Sequence, residues 1–262
     1  MKSIFYILIF VIVASCKKES PVPNQVKEFT IHSTAVGASY NMKVALPDNY
    51  NSSQKYATVY VLDGNDNFNF VAENCKEISR NYSTSNVLVV SIGYGRDRAT
   101  DYTPTKALEG EGGAPQFMAF IQKELIPKME ADYSADTTRK SRVILGHSFG
   151  GLFASYAYGN NNDVFGNYII LSPSIWYDNE IILRIEKDNR SANNNNQQLV
   201  FMGLGEMENS GRMQAPFEAF YQRLKNNYSN IKIEKHLESH LGHVGSKNPN
   251  IKLGLCYYFQ NR

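Results

Sequence analysis

The chain has 262 residues, 42% of them hydrophobic, which is enough for one large domain with a full core. Its formal charge is +2, and no basic run stands out beyond Lys17-Lys18, which argues against nucleic acid as a partner. The 17 Tyr and 14 Phe suit the lining of a core and a cleft.

The first residues read as a processing segment. Met1-Lys2 supplies a short positive start, and residues 4–13 are an apolar run, too short to span a bilayer comfortably but right for a signal h-region. The run ends in Val13-Ala14-Ser15-Cys16, small residues before a cysteine in the pattern of a bacterial lipobox. Residues 1–16 are therefore expected to be a lipoprotein signal peptide with Cys16 as the lipidated residue; an ordinary signal peptide cleaved near the same place is the alternative. Residues 17–26 include KKESPVPNQ, polar and proline-containing, and read as a tether. A diacylated Cys16 would hold residues 27–262 at a membrane of the bacterial cell envelope without a protein span.

From there the apolar pattern alternates between strands and helices. Residues 29–46 read as two strands around Val36-Gly37-Ala38, residues 56–62 as a central strand ending at Asp63-Gly64, residues 67–82 as a helix, and residues 86–92 as a buried strand. Residues 115–129 place Phe117, Phe120, Ile121 and Leu125 on one helical face. Residues 142–145 form a strand and residues 151–158 a helix, with a second strand at 168–171, a helix at 180–187 and a solvated loop at 193–198. A strand at 199–202 precedes a helix carrying Phe217, Phe220, Tyr221 and Leu224; a strand at 231–237 and a helix at 251–259 close the chain. Continuous apolar strands alternating with amphipathic helices imply a single α/β domain, a mostly parallel central sheet with helices on both faces. Cys75 and Cys256 remain beyond the signal. An exported chain could pair them, and two separate buried thiols fit as well; neither has metal-site spacing.

In a parallel sheet, ligands sit beyond the carboxyl ends of the strands. One such end carries Gly146-His147-Ser148-Phe149-Gly150, a G-x-S-x-G between a strand and a helix. A serine on that sharp turn is the nucleophile elbow of an α/β-hydrolase, its glycines permitting the tight bend. A serine hydroxyl needs a base, and the base an orienting acid, in the chain order Ser, Asp or Glu, His. Downstream of Ser148, His236 falls inside a strand and is assigned a structural role, while His240 and His243 follow the last strand, where the base belongs. The acid belongs after the strand at 199–202, which offers Glu206 and Glu208. The backbone amide of Phe149 supplies one oxyanion donor, and the turn Asp63-Gly64-Asn65 is placed to supply the other.

These residues resemble the esterase family of α/β-hydrolases that includes enterochelin esterases, S-formylglutathione hydrolases, feruloyl esterases and mycolyltransferases. The likeness runs from about Val44 to the C-terminus and rests on several segments in order: Tyr60-Val61-Leu62-Asp63-Gly64, Arg98-Ala99-Thr100-Asp101-Tyr102-Thr103-Pro104, residues 146–151, Ser172-Pro173-Ser174-Ile175-Trp176, and His243-Val244-Gly245-Ser246 followed by Gly254-Leu255. The Ser-Pro-Ser-x-Trp segment points to the enterochelin-esterase-like branch. The resemblance implies that residues 27–262 are a catalytic domain cleaving carboxylic esters through an acyl-enzyme, with neither metal nor organic cofactor. It favours Glu208, three residues beyond Gly205, as the acid and His243 as the base, although Glu238-Ser239-His240 resembles another version of the site. It carries Asn65 over as the second oxyanion donor. Trp176 and nearby tyrosines fit either the cleft or the core. Full-length enterochelin esterases have an additional N-terminal domain for which about twenty residues leave no room, so siderophores are not singled out over small-molecule or glycan-linked esters. Transfer of the acyl group to a sugar or lipid, or a non-catalytic surface binding role, are the alternatives.

Overall fold

The computed structural model describes residues 25–193 and 195–262. The expected signal peptide, Cys16 and all but the last two residues of the expected tether lie outside the described residues. Eight strands form one sheet in the order β1-β2-β4-β3-β7-β8-β9-β10. The first two, β1 (Val26–Ser33) and β2 (Ala38–Ala45), are an antiparallel hairpin, and β2 also runs antiparallel to β4 (Leu88–Ile92). All the rest are parallel: β3 (Thr58–Val61), β7 (Arg142–His147), β8 (Asn167–Leu171), β9 (Gln198–Gly205) and β10 (Ile231–Glu238).

Sequence pattern explains the position of each strand. The four central strands β4, β3, β7 and β8 carry Val, Leu and Ile runs and are covered on both faces, apart from half-buried Arg142 at the start of β7. The edge strand β10 alternates half-buried Ile231 and Ile233 with exposed Lys232 and Glu234, a charged border that discourages pairing with another chain. Helices α1 (Gly64–Asn81) and α8 (Lys247–Asn261) cover one face through Phe68, Val71 and Ile78 and through Ile251, Leu255 and Phe259. The other face receives α3 (Ala114–Phe120), α4 (Ile126–Asp132), α5 (Phe149–Asn160) and α7 (Ala215–Asn227) through Phe117, Phe120, Met129, Phe153 and Phe217. Each fully buried side chain of this size contributes about 1.5–3 kcal/mol.

Several elements differ from the sequence-based expectation. The helix expected over 115–129 is divided into α3, a π turn at Ile121–Leu125, and α4, because Pro127 has no N–H to complete the α-helical ladder. The segment α6 (Tyr177–Asn193) starts earlier than expected, with a left-handed turn at Asp178, Asn179 and Glu180; Asp178 is held there by the Thr105 hydroxyl at 2.6 Å. Three elements have no apolar periodicity and escape sequence reading: α2 (Arg98–Tyr102) and the two-residue hairpin strands β5 (Lys106–Ala107) and β6 (Gly110–Glu111). Cys75, buried in α1, and half-buried Cys256, in α8, are both free thiols.

Candidate active site

Strand β7 ends at His147, and Ser148 makes the turn into α5 with φ 61° and ψ −120°, a backbone conformation that costs a non-glycine residue about 1–3 kcal/mol. Local bonds hold it there. The Ser148 amide donates to the Leu171 carbonyl at 3.0 Å, and the Ser148 carbonyl accepts from Leu152 at 2.9 Å and Ser174 at 3.2 Å. Only glycine fits at residue 146, where a Cβ would sit 2.2 Å from the Gly150 carbonyl oxygen.

At the carboxyl end of β9 the chain bends back on itself, so that the Glu208 amide donates to the Gly205 carbonyl at 3.1 Å. The loop after β10 meets it closely: Glu206 and Met207 donate their amides to Glu238 and Leu241 at 2.9 and 3.0 Å, and a Cβ on Gly205 would lie 2.4 Å from the Leu241 carbonyl. This contact delivers His243 to Glu208. The His243 Nδ1 lies 2.8 Å from Glu208 Oε2; a carboxylate only accepts, so Nδ1 carries the hydrogen and Nε2 is left with its lone pair. The other oxygen, Oε1, accepts from the Ser172 hydroxyl at 2.6 Å and the Gly205 amide at 2.8 Å. Burial alone would raise the Glu208 carboxyl, but the hydrogen bonds from His243, Ser172 and Gly205 outweigh it and hold the group below its ordinary range.

Ser148, Phe149, Glu208 and His243 line a single pocket of about 440 Å³ at this end of the sheet. The competing candidates are elsewhere. Exposed Glu206 accepts the His240 amide at 2.9 Å and so braces the loop, and exposed His240 sits in a left-handed turn. His236 bonds Glu238 at 3.1 Å within β10. Asn65 is the exposed second residue of α1 and is outside the pocket lining, whereas half-buried Trp176 is part of it.

Other residues of the site were invisible in the sequence. His147, between Gly146 and Ser148 of the elbow, is 8% exposed, packs its ring 4.6 Å from that of His243, and donates Nε2–H to the His243 carbonyl at 2.9 Å. Burial, with the neighbouring His243 second, pushes its pKa down to about 4. Arg98 grips buried Asp63 through two bonds of 2.8 and 2.7 Å, and its guanidinium lies 5.7 Å from the centre of the Phe149 ring, tying the turn before α1 to the elbow. Arg212 stacks 3.7 Å over Trp176 at the pocket rim. Ser172 and Arg98 fall inside segments that mark the family resemblance, but no single-sequence signal gave them partners.

The family model described as Putative esterase matches residues 33–246. This chain belongs to that family. The esterase is 29% identical over 211 residues to the ferri-bacillibactin esterase BesA of Bacillus subtilis, covering 71% of this chain and 72% of that one. It is 29% identical over 182 residues to the siderophore triacetylfusarinine C esterase of Aspergillus fumigatus, covering 64% of this chain and 61% of the fungal protein, less than two thirds of its length. Among solved structures, the BES protein from Bacillus cereus has a TM-score of 0.81 at 27% identity, with 92% of this chain and 97% of that one covered. The enterobactin and salmochelin hydrolase IroE shares the fold, with a TM-score of 0.70 at 22% identity over 91% of this chain and 96% of that one. The esterase is thus a serine hydrolase of carboxylic esters, of the enterochelin-esterase type, on an α/β-hydrolase fold.

Proposed function

We propose that Ser148 is the nucleophile, His243 its general base, Glu208 the acid that orients the base, and the amides of Phe149 and Asn65 the oxyanion hole. The observation that carries this reading is the buried Glu208 carboxylate bonded to His243 Nδ1 on the pocket that Ser148 also lines. The Ser148 hydroxyl attacks the ester carbonyl as its proton passes to His243 Nε2. Glu208 stabilises the resulting imidazolium. The C–O bond of the ester then breaks, and the alcohol leaves with the proton from Nε2. Water, activated by the same nitrogen, attacks the acyl-enzyme and frees the acid and Ser148. Phe149, the first residue of α5, presents its amide beside the nucleophile. Support for Asn65 is its place in the first turn of α1, whose leading N–H groups have no partner within the helix; the Asp63–Arg98 pair fixes that turn beside Phe149.

The substrate we propose is a siderophore ester. The relatives from B. subtilis and A. fumigatus are named for such substrates. The pocket combines Arg98 and Arg212 with the aromatic faces of Phe149 and Trp176, a lining suited to an anionic, aromatic acyl group. Mass spectrometry of products from ferric trilactone siderophores, feruloylated sugars, acetylated xylan and aryl esters tests this. Linearised siderophore, formed with the highest kcat/KM of the set, is the expected result; cleavage of the other esters with the siderophores intact would overturn it. We further propose that Cys16 anchors the esterase by lipid at a membrane of the cell envelope, on the strength of the lipobox-like Val13-Ala14-Ser15-Cys16.

A further inference from the structure

The active-site pocket lies beyond the carboxyl ends of the parallel strands. A second pocket, of about 560 Å³, lies across their amino ends, lined by the segments that lead into β3, β4, β7, β8, β9 and β10. Its charged lining is entirely basic: Lys55, Lys140, Lys232 and Arg262, with no Asp or Glu among the described lining residues. Two of the four cations are held by neutral groups. Lys232 donates to the Asn261 side chain, and Arg262 donates to the Ser85 carbonyl and lies over the Tyr258 and Phe259 rings. The charge of Asp136 reaches Lys140, but its carboxylate already accepts the Thr138 amide and hydroxyl at 2.7 and 2.6 Å.

The second observation is polar and buried. Gln198 opens β9 at 2% exposure and lines this pocket, and neither the nitrogen nor the oxygen of its amide has a hydrogen-bond partner. The Thr84 hydroxyl, also on the lining, is unpartnered as well. Leaving a buried polar group unsatisfied is costly. An anion seated among the lysines would bring its charge to the ammonium groups, in walls that also hold the unsatisfied Gln198 amide and Thr84 hydroxyl.

We propose that this pocket binds a phosphate group. Several point charges drawn from separate segments, with unsatisfied neutral donors in the same walls, suit a tetrahedral, multiply charged oxyanion. Free phosphate and the headgroup of an anionic phospholipid share this chemistry. The described chain enters the fold at the same end: Val26 pairs with Ala45, and Ala45 with Val89 near the start of β4. The proposal does not depend on the assignment of the catalytic residues.

Isothermal titration of the purified full chain with inorganic phosphate, against chloride at equal ionic strength, tests it. Saturable binding to one site is expected, weakened about tenfold or more in the double variant Lys140→Gln/Lys232→Gln, for the loss of two charge-assisted contacts. Aryl-ester hydrolysis by that variant should match the parent, which establishes that it folds. A second arm uses the Cys16→Ala chain, so that no acyl chain contributes, in flotation with phosphatidylcholine vesicles and with phosphatidylcholine vesicles containing phosphatidylglycerol. Retention only on the anionic vesicles, released by inorganic phosphate, assigns a lipid headgroup; phosphate binding without retention assigns soluble phosphate. No saturable phosphate binding, or binding unchanged in the double variant, overturns the proposal.

Discussion

In neutral His243 the Nε2 lone pair is free because the hydrogen on Nδ1 goes to Glu208, and Glu208 can stay ionised while buried because Ser172 and the Gly205 amide fill its other oxygen. Removing the charge while keeping the shape should expose this dependence. Glu208→Gln is expected to lower kcat by about 10³–10⁴-fold, since an amide can present the wrong group to Nδ1, whereas Glu206→Gln, which still accepts the His240 amide, should leave kcat near the parent value; steady-state kinetics on one aryl ester compares the two. His147 offers a pH test of a different kind. Its folded pKa is about 4 against an ordinary 6.5, so between these values the unfolded chain takes up a proton that the folded chain does not. Stability should therefore fall as pH drops from 6.5 toward 4, by up to roughly 3 kcal/mol, with no contribution above that window. Glu208 acts in the same direction but further down, as its lowered carboxyl protonates. Urea unfolding across the range should show the slope, and His147→Gln, which keeps a donor for the His243 carbonyl, should flatten its upper part.

At the level of elements, the turn from β7 into α5 stores strain that its surroundings balance. Gly146→Ala would drive a Cβ to 2.2 Å from the Gly150 carbonyl, so the backbone must move. A loss of about 1–3 kcal/mol is expected, read as a lowered Tm, together with a fall in kcat because the displaced carbonyl belongs to the elbow itself. This element was also the most legible in the sequence, since strand, G-x-S-x-G and helix are contiguous and each has its own apolar signature. The buried strands were legible for the same reason, although β9 runs on from Met202 to Gly205 through two glycines that carry no strand signal. Residue pattern alone narrowed the acid and base only to pairs, within which the family resemblance favoured Glu208 and His243. Glu206 and Glu208 are two residues apart on one loop, and what separates them is a contact with residues 238–243 that local pattern cannot encode. Arg98 was unreadable as a partner of Asp63 for a similar reason: the two lie 35 positions apart, and α2 has too few residues to display a period.

Across the whole molecule the parallel sheet separates two chemistries. Its carboxyl ends gather the serine, the histidine and the carboxylate, and its amino ends gather basic side chains and the point where residue 25 joins the fold. Among the described residues no helix is long and apolar enough to cross a membrane, and the proposed anchor is Cys16 alone. Growth with a labelled fatty acid should therefore mark the parent chain and leave Cys16→Ala unmarked; equal labelling of both would remove the anchor. The sheet's polarity also means that one covalent event reports on the entire assembly of β7, β9 and the loop after β10. That event is the reaction of the folded protein with a fluorophosphonate, followed by intact-mass and peptide analysis. One adduct on Ser148, absent from Ser148→Ala and slowed in His243→Ala, is the expected result. A parent protein that hydrolyses esters yet stays unmodified, or carries the adduct on another residue, would contradict it.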